Sequence, residues 1–337
     1  MPEYSGLSKL APVAGLLIAY PFVIKDPFWQ HLAVLTLLMA ALATAWNILG
    51  GFTGQISLGH SIFFAIGAYS TAYLLIHAGL VPWLGMAVGC GLATVAAMVI
   101  GLPVFRLRGH HFSIATIAVQ QVMLTIVTNS ASLGRATGLE IPIERQSVVN
   151  LQFSIRDQVG YHLVALALLA LCTLTAWRFA SGRAGAYARA LRDDDELARA
   201  SGVPALRYKL QALMISAGLT ALCGGFYAMY ALFVDPNVVL SLGQSIAIAL
   251  AAVLGGAGRL WGPLIGAVAF VGIQETTRVQ LAGVGAGLDL VIFGIIIVLI
   301  AIAEPGGIIG LGERIVAAVR GHRVPPADGV STNRTAP

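Results

Sequence analysis

The sequence predicts an all-α membrane protein of about ten transmembrane helices, folded as two inverted five-helix repeats with both termini in the cytoplasm. Three observations predict it. Apolar runs of spanning length succeed one another along nearly the whole chain, Lys and Arg gather on one side of them, and a short block recurs in both halves. Of the 337 residues, 58% are hydrophobic and 10% charged, with a mean hydropathy of +0.84, whereas a soluble domain carries about 25% charged residues. So few charges cannot clothe a soluble surface of this size. Lipid is therefore the solvent for most of it.

With about 20 residues needed per crossing, the runs fall at 10–24, 29–49, 61–78, 81–103, 111–129, 159–179, 210–233, 241–257, 260–277 and 287–303. The first and eighth are short or interrupted. A weakly charged start, Glu3 and Lys9, precedes the first run with no small-x-small cleavage site after it, which reads as a retained span rather than a removed signal peptide. Cys90, Cys172 and Cys223 lie far apart inside apolar runs, without Cys-x-x-Cys spacing, and read as small buried apolar residues.

Orientation follows from the basic residues, which favour cytoplasmic loops. With the N-terminus inside, the cytoplasmic set is Lys9, Arg106, Arg108, Arg178, Arg183, Arg189, Arg192, Arg199, Arg207, Lys209, Arg259, Arg314, Arg320, Arg323 and Arg334; only Lys25, Arg135, Arg145, Arg156 and Arg278 fall opposite. That three-to-one bias supports ten spans with both ends inside, and it accounts for the net charge of +5 without a nucleic-acid partner. The 39 glycines supply small surfaces for helix packing, and Gly-x-x-x-Gly occurs at Gly50/Gly54, Gly85/Gly89 and Gly262/Gly266.

The recurring block is ISLGHSIFFAIGA at 56–68 and LSLGQSIAIALAA at 240–252, with six of thirteen positions identical at an offset of 184. Each copy stands just before the third span of a five-span half, so an odd number of crossings separates them and their directions are opposed. Gly50, Gly51, Gly54 and Gly59 precede the first helix; Asp235, Pro236 and Asn237 precede the second. Both places read as broken or re-entrant starts whose polar groups line a cavity. The candidate pathway residues are Ser57, Gly59 and Ser61, their counterparts Ser241, Gly243 and Ser245, and Gln120 and Gln121 in the fifth run. The two glutamines face the pathway or bond a neighbouring helix.

The most informative polar stretch is SGRAGAYARALRDDDELARASGVPALRYK, 181–209. Ala190, Leu191, Leu197 and Ala198 are expected to share one helical face, with Arg192, Asp193, Asp194, Asp195 and Glu196 solvated and Gly202 and Pro204 ending the helix. Such a helix suits a soluble partner; a plain solvated loop under the positive-inside rule is the alternative. Its detail resembles the coupling loop of ATP-binding-cassette importer permeases, where Glu-Ala-Ala, three residues and Gly form a helix that docks on the ATPase. Here Glu196, Leu197 and Ala198 lead to Gly202, with Leu in place of the middle Ala.

The blocks GGFTGQISLGHSIFFAIGAYSTAYL, RLRGHHFSIATIA, RALRDDDELARASGVPALRYKLQAL and VLGGAGRLWGPLIGA lie in order from about residue 46 to residue 270. Together they resemble the LivM-type permease of branched-chain amino acid importers. The spans and the repeat set a transmembrane permease domain over 1–321 with halves at about 10–129 and 159–303, the Pro/Thr/Asn-rich 322–337 reads as a disordered cytoplasmic tail, and the resemblance implies a coupling loop at 181–209. It also implies a bacterial inner-membrane machine with a second homologous permease, two cytosolic ATPases that use ATP and Mg, and a periplasmic binding protein.

The chain itself lacks the means of hydrolysing ATP. Lysine occurs only at 9, 25 and 209, so there is no phosphate loop ending in Gly-Lys. His60, His110 and His111 have no partner at metal-ligand spacing, and no cofactor or catalytic residue is expected. Acidic residues avoid the middles of the runs, which weighs against a proton- or sodium-coupled carrier. Two alternatives stand beside an amino-acid importer subunit: the same machine carrying urea, short amides or aromatic acids, and a self-contained secondary carrier or channel.

Overall fold

The computed structural model describes residues 10–106, 111–143, 146–154, 158–280, 294–295 and 307–311. Twelve helices are described: α1 (Leu10–Val23), α2 (Pro27–Thr53), α3 (His60–Ala78), α4 (Pro82–Val104), α5 (His111–Asn129), α6 (Val159–Ser181), α7 (Arg183–Asp193), α8 (Asp195–Ala200), α9 (Ala205–Ala231), α10 (Pro236–Val239), α11 (Leu242–Gly255) and α12 (Gly262–Gln280). Nine of the ten expected runs coincide with one of these. The tenth, 287–303, lies outside the described residues apart from 294–295, and the tail lies wholly outside them.

Among the described residues, seven segments are long and apolar enough to cross a bilayer: α2 to α6, α9, and Pro236–Gly255 taken as one. The helix α1 has only 14 residues with Pro21 inside, and α12 carries Glu275 and Arg278, paired at 3.7 Å. Among the described residues the all-helical expectation holds except for an isolated bridge between Ser147 and Gln152 and an antiparallel ribbon of two residues a side, Leu139–Glu140 (β1) against Phe233–Val234 (β2). It ties the α5–α6 connection to the end of α9.

Local chemistry sets the ends. Asp26 accepts a hydrogen bond from the Phe28 amide at 2.9 Å and Pro27 occupies the first position of α2, a favoured start. That helix stops at Gly54, whose φ of +71° suits glycine.

Packing is reciprocal between the halves. The 27-residue helices α2 and α9 lie against each other; α9 packs on α3 and α4, while α2 packs on α11 and α12. Among these six helices, exchanging α2 with α9, α3 with α11 and α4 with α12 reproduces the same pairs, including α3–α4 and α11–α12; the packing of α2 on α6 has no such counterpart on α9. Small residues make the closest approaches. A Cβ at Gly224 would overlap the Phe64 carbonyl, and one at Gly67 the Ala221 carbonyl, so α3 and α9 meet backbone to backbone. Of the three Gly-x-x-x-Gly matches, Gly85/Gly89 seats α4 on Thr71 and Gly67 of α3, and Gly262/Gly266 seats α12 on α11. Gly50 instead lies under the Trp46 ring of its own helix, and Gly54 ends that helix.

Gly224→Ala is therefore expected to lower unfolding stability of the detergent-solubilised protein by about 1–3 kcal/mol, the cost of overpacking a filled contact. Gly91→Ala, on the open side of α4 where a Cβ meets nothing within 4 Å, should leave the unfolding midpoint unchanged or raise it.

Candidate functional site

Two helices begin inside the bundle rather than at its ends. After Thr53 the chain folds back alongside α2, so that the Ser57 carbonyl accepts from Trp46 Nε1 at 2.8 Å. Three more backbone groups of this excursion pair with side chains. Ser113 Oγ donates to the Ile56 carbonyl at 2.6 Å, the Leu58 amide donates to Thr116 Oγ1 at 3.1 Å, and the Gly59 amide to Ser57 Oγ at 3.4 Å. Gly59 has no side chain because a Cβ there would sit 2.7 Å from the Thr116 carbonyl oxygen.

The second excursion runs through α10. Asp235 caps it by accepting from the Asn237 amide at 2.8 Å, and Ser241 caps α11 by accepting from the Gln244 amide at 3.0 Å. The Leu240 carbonyl between them accepts from Gln120 Nε2, half-way along α5. Thr116 and Gln120 are one helical turn apart, so a single helix supports both starts.

The starts touch at equivalent positions of the repeat: the Ser61 amide donates to Ser245 Oγ at 2.9 Å. In a two-fold arrangement residues on the axis meet their own counterparts, and these two are separated by 184 positions. Beside them His60 is fully buried, with Nε2 2.8 Å from Ser216 Oγ and Nδ1 3.1 Å from Ser57 Oγ. Ser216 Oγ already donates to the Ala45 carbonyl at 2.6 Å, so it accepts from His60, which places the ring proton on Nε2. Ser57, Gly59, Ser61, Gln120 and Ser245 thus form one buried polar centre with His60, Thr116 and Ser216. Ser241 is half-buried and Gly243 and Gln121 are exposed. Ser61 Oγ and Gln120 Oε1 have no hydrogen-bond partner among the described residues, leaving two polar atoms able to receive a donor.

A groove of about 550 Å³ adjoins this centre between α3, α4 and α5. Its walls are apolar, with Ile62, Val88, Met123, Val127 and Leu240 among them, and the unpartnered Tyr69 hydroxyl is one of its few polar groups.

At the other end of α6, the polar stretch forms two helices instead of the single expected one. Asp194 breaks the run at φ −153° and ψ 105°, and its carboxylate accepts from the Glu196 and Leu197 amides at 3.0 and 2.9 Å. A capping carboxylate that satisfies two amides outweighs continuation of α7 through a third Asp. The expected shared face is thereby split. Leu191 and Ala198 turn inward with Ala205, while Ala190 is exposed and Leu197 is 64% exposed.

Asp193 and Glu196 are exposed as expected, but Asp195 is not simply solvated: it pairs with the buried Lys209 at 2.8 Å and with Arg199 at 3.1 Å. Arg192 reaches the Gly51 carbonyl at 2.7 Å. Gly202, at φ +85° with open space around it, turns the chain towards Pro204 and α9. Sequence reasoning missed Trp46, Asn47, Thr116, Ser216 and Lys209. For Asn47 the available signal was polarity inside a long apolar run, whereas Lys209 closes the polar stretch just before one.

Ser245→Ala strips the Ser61 amide of its acceptor and should cost about 1–3 kcal/mol of unfolding stability, with Ser245→Thr restoring most of it. For Asp195, partial burial raises the carboxyl pKa, but the Lys209 hydrogen bond and charge, with Arg199, pull it below the ordinary value. A depressed carboxylate stabilises fully above its unfolded pKa of about 3.9 and ceases to as pH falls through the folded one. Amide-exchange protection of α8, corrected for intrinsic rates, should therefore stay level from pH 7 to 5 and fall only in stronger acid.

The family model described as branched-chain amino acid transport system / permease component matches residues 29–301. The high-affinity branched-chain amino acid transport system permease protein LivM of Escherichia coli K12 is 28% identical over 291 residues, covering 80% of this chain and 68% of that one. LivM of Salmonella typhimurium is 27% identical over 283 residues, covering 77% and 66%, and a probable LivM of Methanocaldococcus jannaschii is 22% identical over 232 residues, covering 65% and 66%. The chain spans about two thirds of the length of these relatives. No solved structure matches. With most of its length inside one family model, this multi-pass membrane protein belongs to the permease components of branched-chain amino acid transport systems.

Proposed function

We propose that the chain is a transmembrane permease subunit of an ATP-binding-cassette importer of the bacterial inner membrane, passing branched-chain or related amino acids delivered by a periplasmic binding protein. A second homologous permease and two cytosolic ATPases, which consume ATP with Mg, complete the machine. In this reading the chain has ten spans in two inverted halves with both termini cytoplasmic, and the reciprocal packing of α2 and α9 supports the inversion.

The observation that carries the reading is the α7–α8 unit. Its inner face is fixed to the bundle by Leu191, Ala198 and the Asp195–Lys209 pair, yet Leu197 stands 64% exposed on the outer face. An ATPase groove that takes up Leu197 gains its apolar surface, and the rigid attachment passes movement on to the spans. The buried centre and adjoining groove support an amino-acid cargo. Two unspent acceptors and converging helix N-termini suit the charged backbone groups, and the apolar walls suit a branched side chain. Ser57, Gly59, Ser61, Gln120 and Ser245 are the proposed lining.

Uptake into liposomes should require the ATPase subunits and ATP; uptake by the purified chain alone on an ion gradient would overturn the importer reading in favour of a self-contained carrier. Leu197→Asp, and Gly202→Asp at the left-handed turn, should abolish transport while the chain still inserts. If the ATPases co-purify unchanged with both variants and transport persists, the coupling assignment is wrong.

A further inference from the structure

At the cytoplasmic end of the proposed permease, one side chain joins three elements from both halves. Arg192 lies in the last turn of α7, and its guanidinium donates to the Gly51 carbonyl in the last turn of α2 at 2.7 Å. Its stem rests on Gly54, where an added Cβ would come within 3.1 Å of Arg192 Cγ. On the far side lies Gly258, in the turn between α11 and α12. This residue has a φ of +84°, and a Cβ there would overlap Arg192 Nη1 and approach the Gly51 carbonyl oxygen to 3.0 Å.

The turn is held independently on the same helix. Asn47, one helical turn before Gly51 and 1% exposed, accepts from the Gly258 amide at 2.8 Å and donates to the Arg259 carbonyl at 2.9 Å. A buried amide spending both ends on one turn fixes that turn's register on α2. Arg192 therefore sits at the point where α7, the end of α2 and the α11–α12 turn come together.

What lies beyond the turn gives the junction its consequence. From Gly255 the helix α11 runs back to Ser245, whose hydroxyl holds the start of α3. A straight helix transmits axial displacement, and the span from Gly255 to Ser245 is about 15 Å at 1.5 Å per residue. Displacement of α7 thus has a continuous route to the buried serine centre: Arg192 to the Gly258 turn, along α11, to Ser61.

We infer that Arg192, with Gly258 and Asn47 as its seat, is a positioning residue that transmits movement of the α7–α8 unit to the second repeat's broken helix. The inference rests on the importer reading, since only a driven α7–α8 unit gives the junction something to transmit. Arginine suits the task because its fork donates to a backbone carbonyl beside Gly258 while its stem rests on Gly54. Lysine keeps one donor at that carbonyl but loses the fork beside Gly258.

The test is the full complex in proteoliposomes, with radiolabelled leucine uptake and ATP hydrolysis measured in parallel. Arg192→Ala should leave the ATPase subunits bound in unchanged stoichiometry and lower uptake per ATP hydrolysed by about tenfold, the ratio expected for one lost hydrogen bond from a charged donor. Arg192→Lys should recover part of that ratio. Gly258→Ala, which displaces the guanidinium without touching α7, should reproduce the loss, and the double variant should be no worse than either single one. An unchanged ratio in Arg192→Ala, or additive losses in the double variant, overturns the junction while leaving the importer reading intact. If Arg192→Ala assembles poorly, Gly258→Ala decides: a wild-type ratio there overturns the proposal. A wild-type complex that takes up no leucine on ATP addition, alongside an ion-driven flux through the chain alone, overturns the importer reading itself.

Discussion

Hydrocarbon offers no hydrogen bonds, so a backbone group left unpaired within a bilayer costs several kcal/mol. That obligation governs where this chain can leave the helix. Among the described residues it does so within the bundle at 54–59 and around Leu240 and Ser241, and at both places side chains take over pairing that the helix gave up. Trp46, Ser57, Ser113 and Thr116 serve the first excursion; Asp235, Ser241 and Gln120 serve the second. The breaks and their supporters form one unit. Removing a supporter exposes a backbone group rather than merely a side chain.

The same solvent removes the usual driving force for helix association, because lipid tails are as apolar as leucine. Contact must then come from close backbone approach, which is where the glycines matter. Gly67 and Gly224 let α3 and α9 meet at carbonyl distance, and Gly255 with Gly266 does the same for α11 and α12. The wider scheme is reciprocal: each half's long helix carries the other half's hairpin. Neither half can bury its surfaces alone, which ties the folding of one to the presence of the other.

Much of this was legible in the sequence because bilayer thickness and hydropathy constrain it directly. Nine of the ten apolar runs coincide with described helices, and the repeat pointed to Ser61 and Ser245 as equivalents, which the structure brings into contact. Two of three Gly-x-x-x-Gly matches became interfaces; Gly50/Gly54 did not, since Gly54 sits at a left-handed helix end, a feature spacing alone does not report. The interior of 181–209 was less legible. Three consecutive aspartates offer three possible caps, and only the fold selects Asp194, which rotates Leu197 out of the face shared by Leu191 and Ala198. Lys209 reads as a loop cation by the positive-inside rule, yet it is buried against Asp195 because the start of α9 folds under α8. Long-range partners such as Asn47 with Gly258 leave no local pattern at all.

Charged and neutral groups are distributed separately along the described structure. The described ion pairs lie in the α7–α9 segment and near the end of α12, whereas the buried centre is built from hydroxyls, amides and one imidazole. Neutral hydrogen bonds exchange partners at a net cost of about 1 kcal/mol each, so such a centre can rearrange under a modest push. A buried ion pair could not, since separating its charges in low dielectric is far more costly. Among the centre's described members His60, hydrogen-bonded to two serines, is the one titratable side chain. Among the described helices α11 and α3 begin at the centre, while α5 and α9 hold it from the side through Thr116, Gln120 and Ser216.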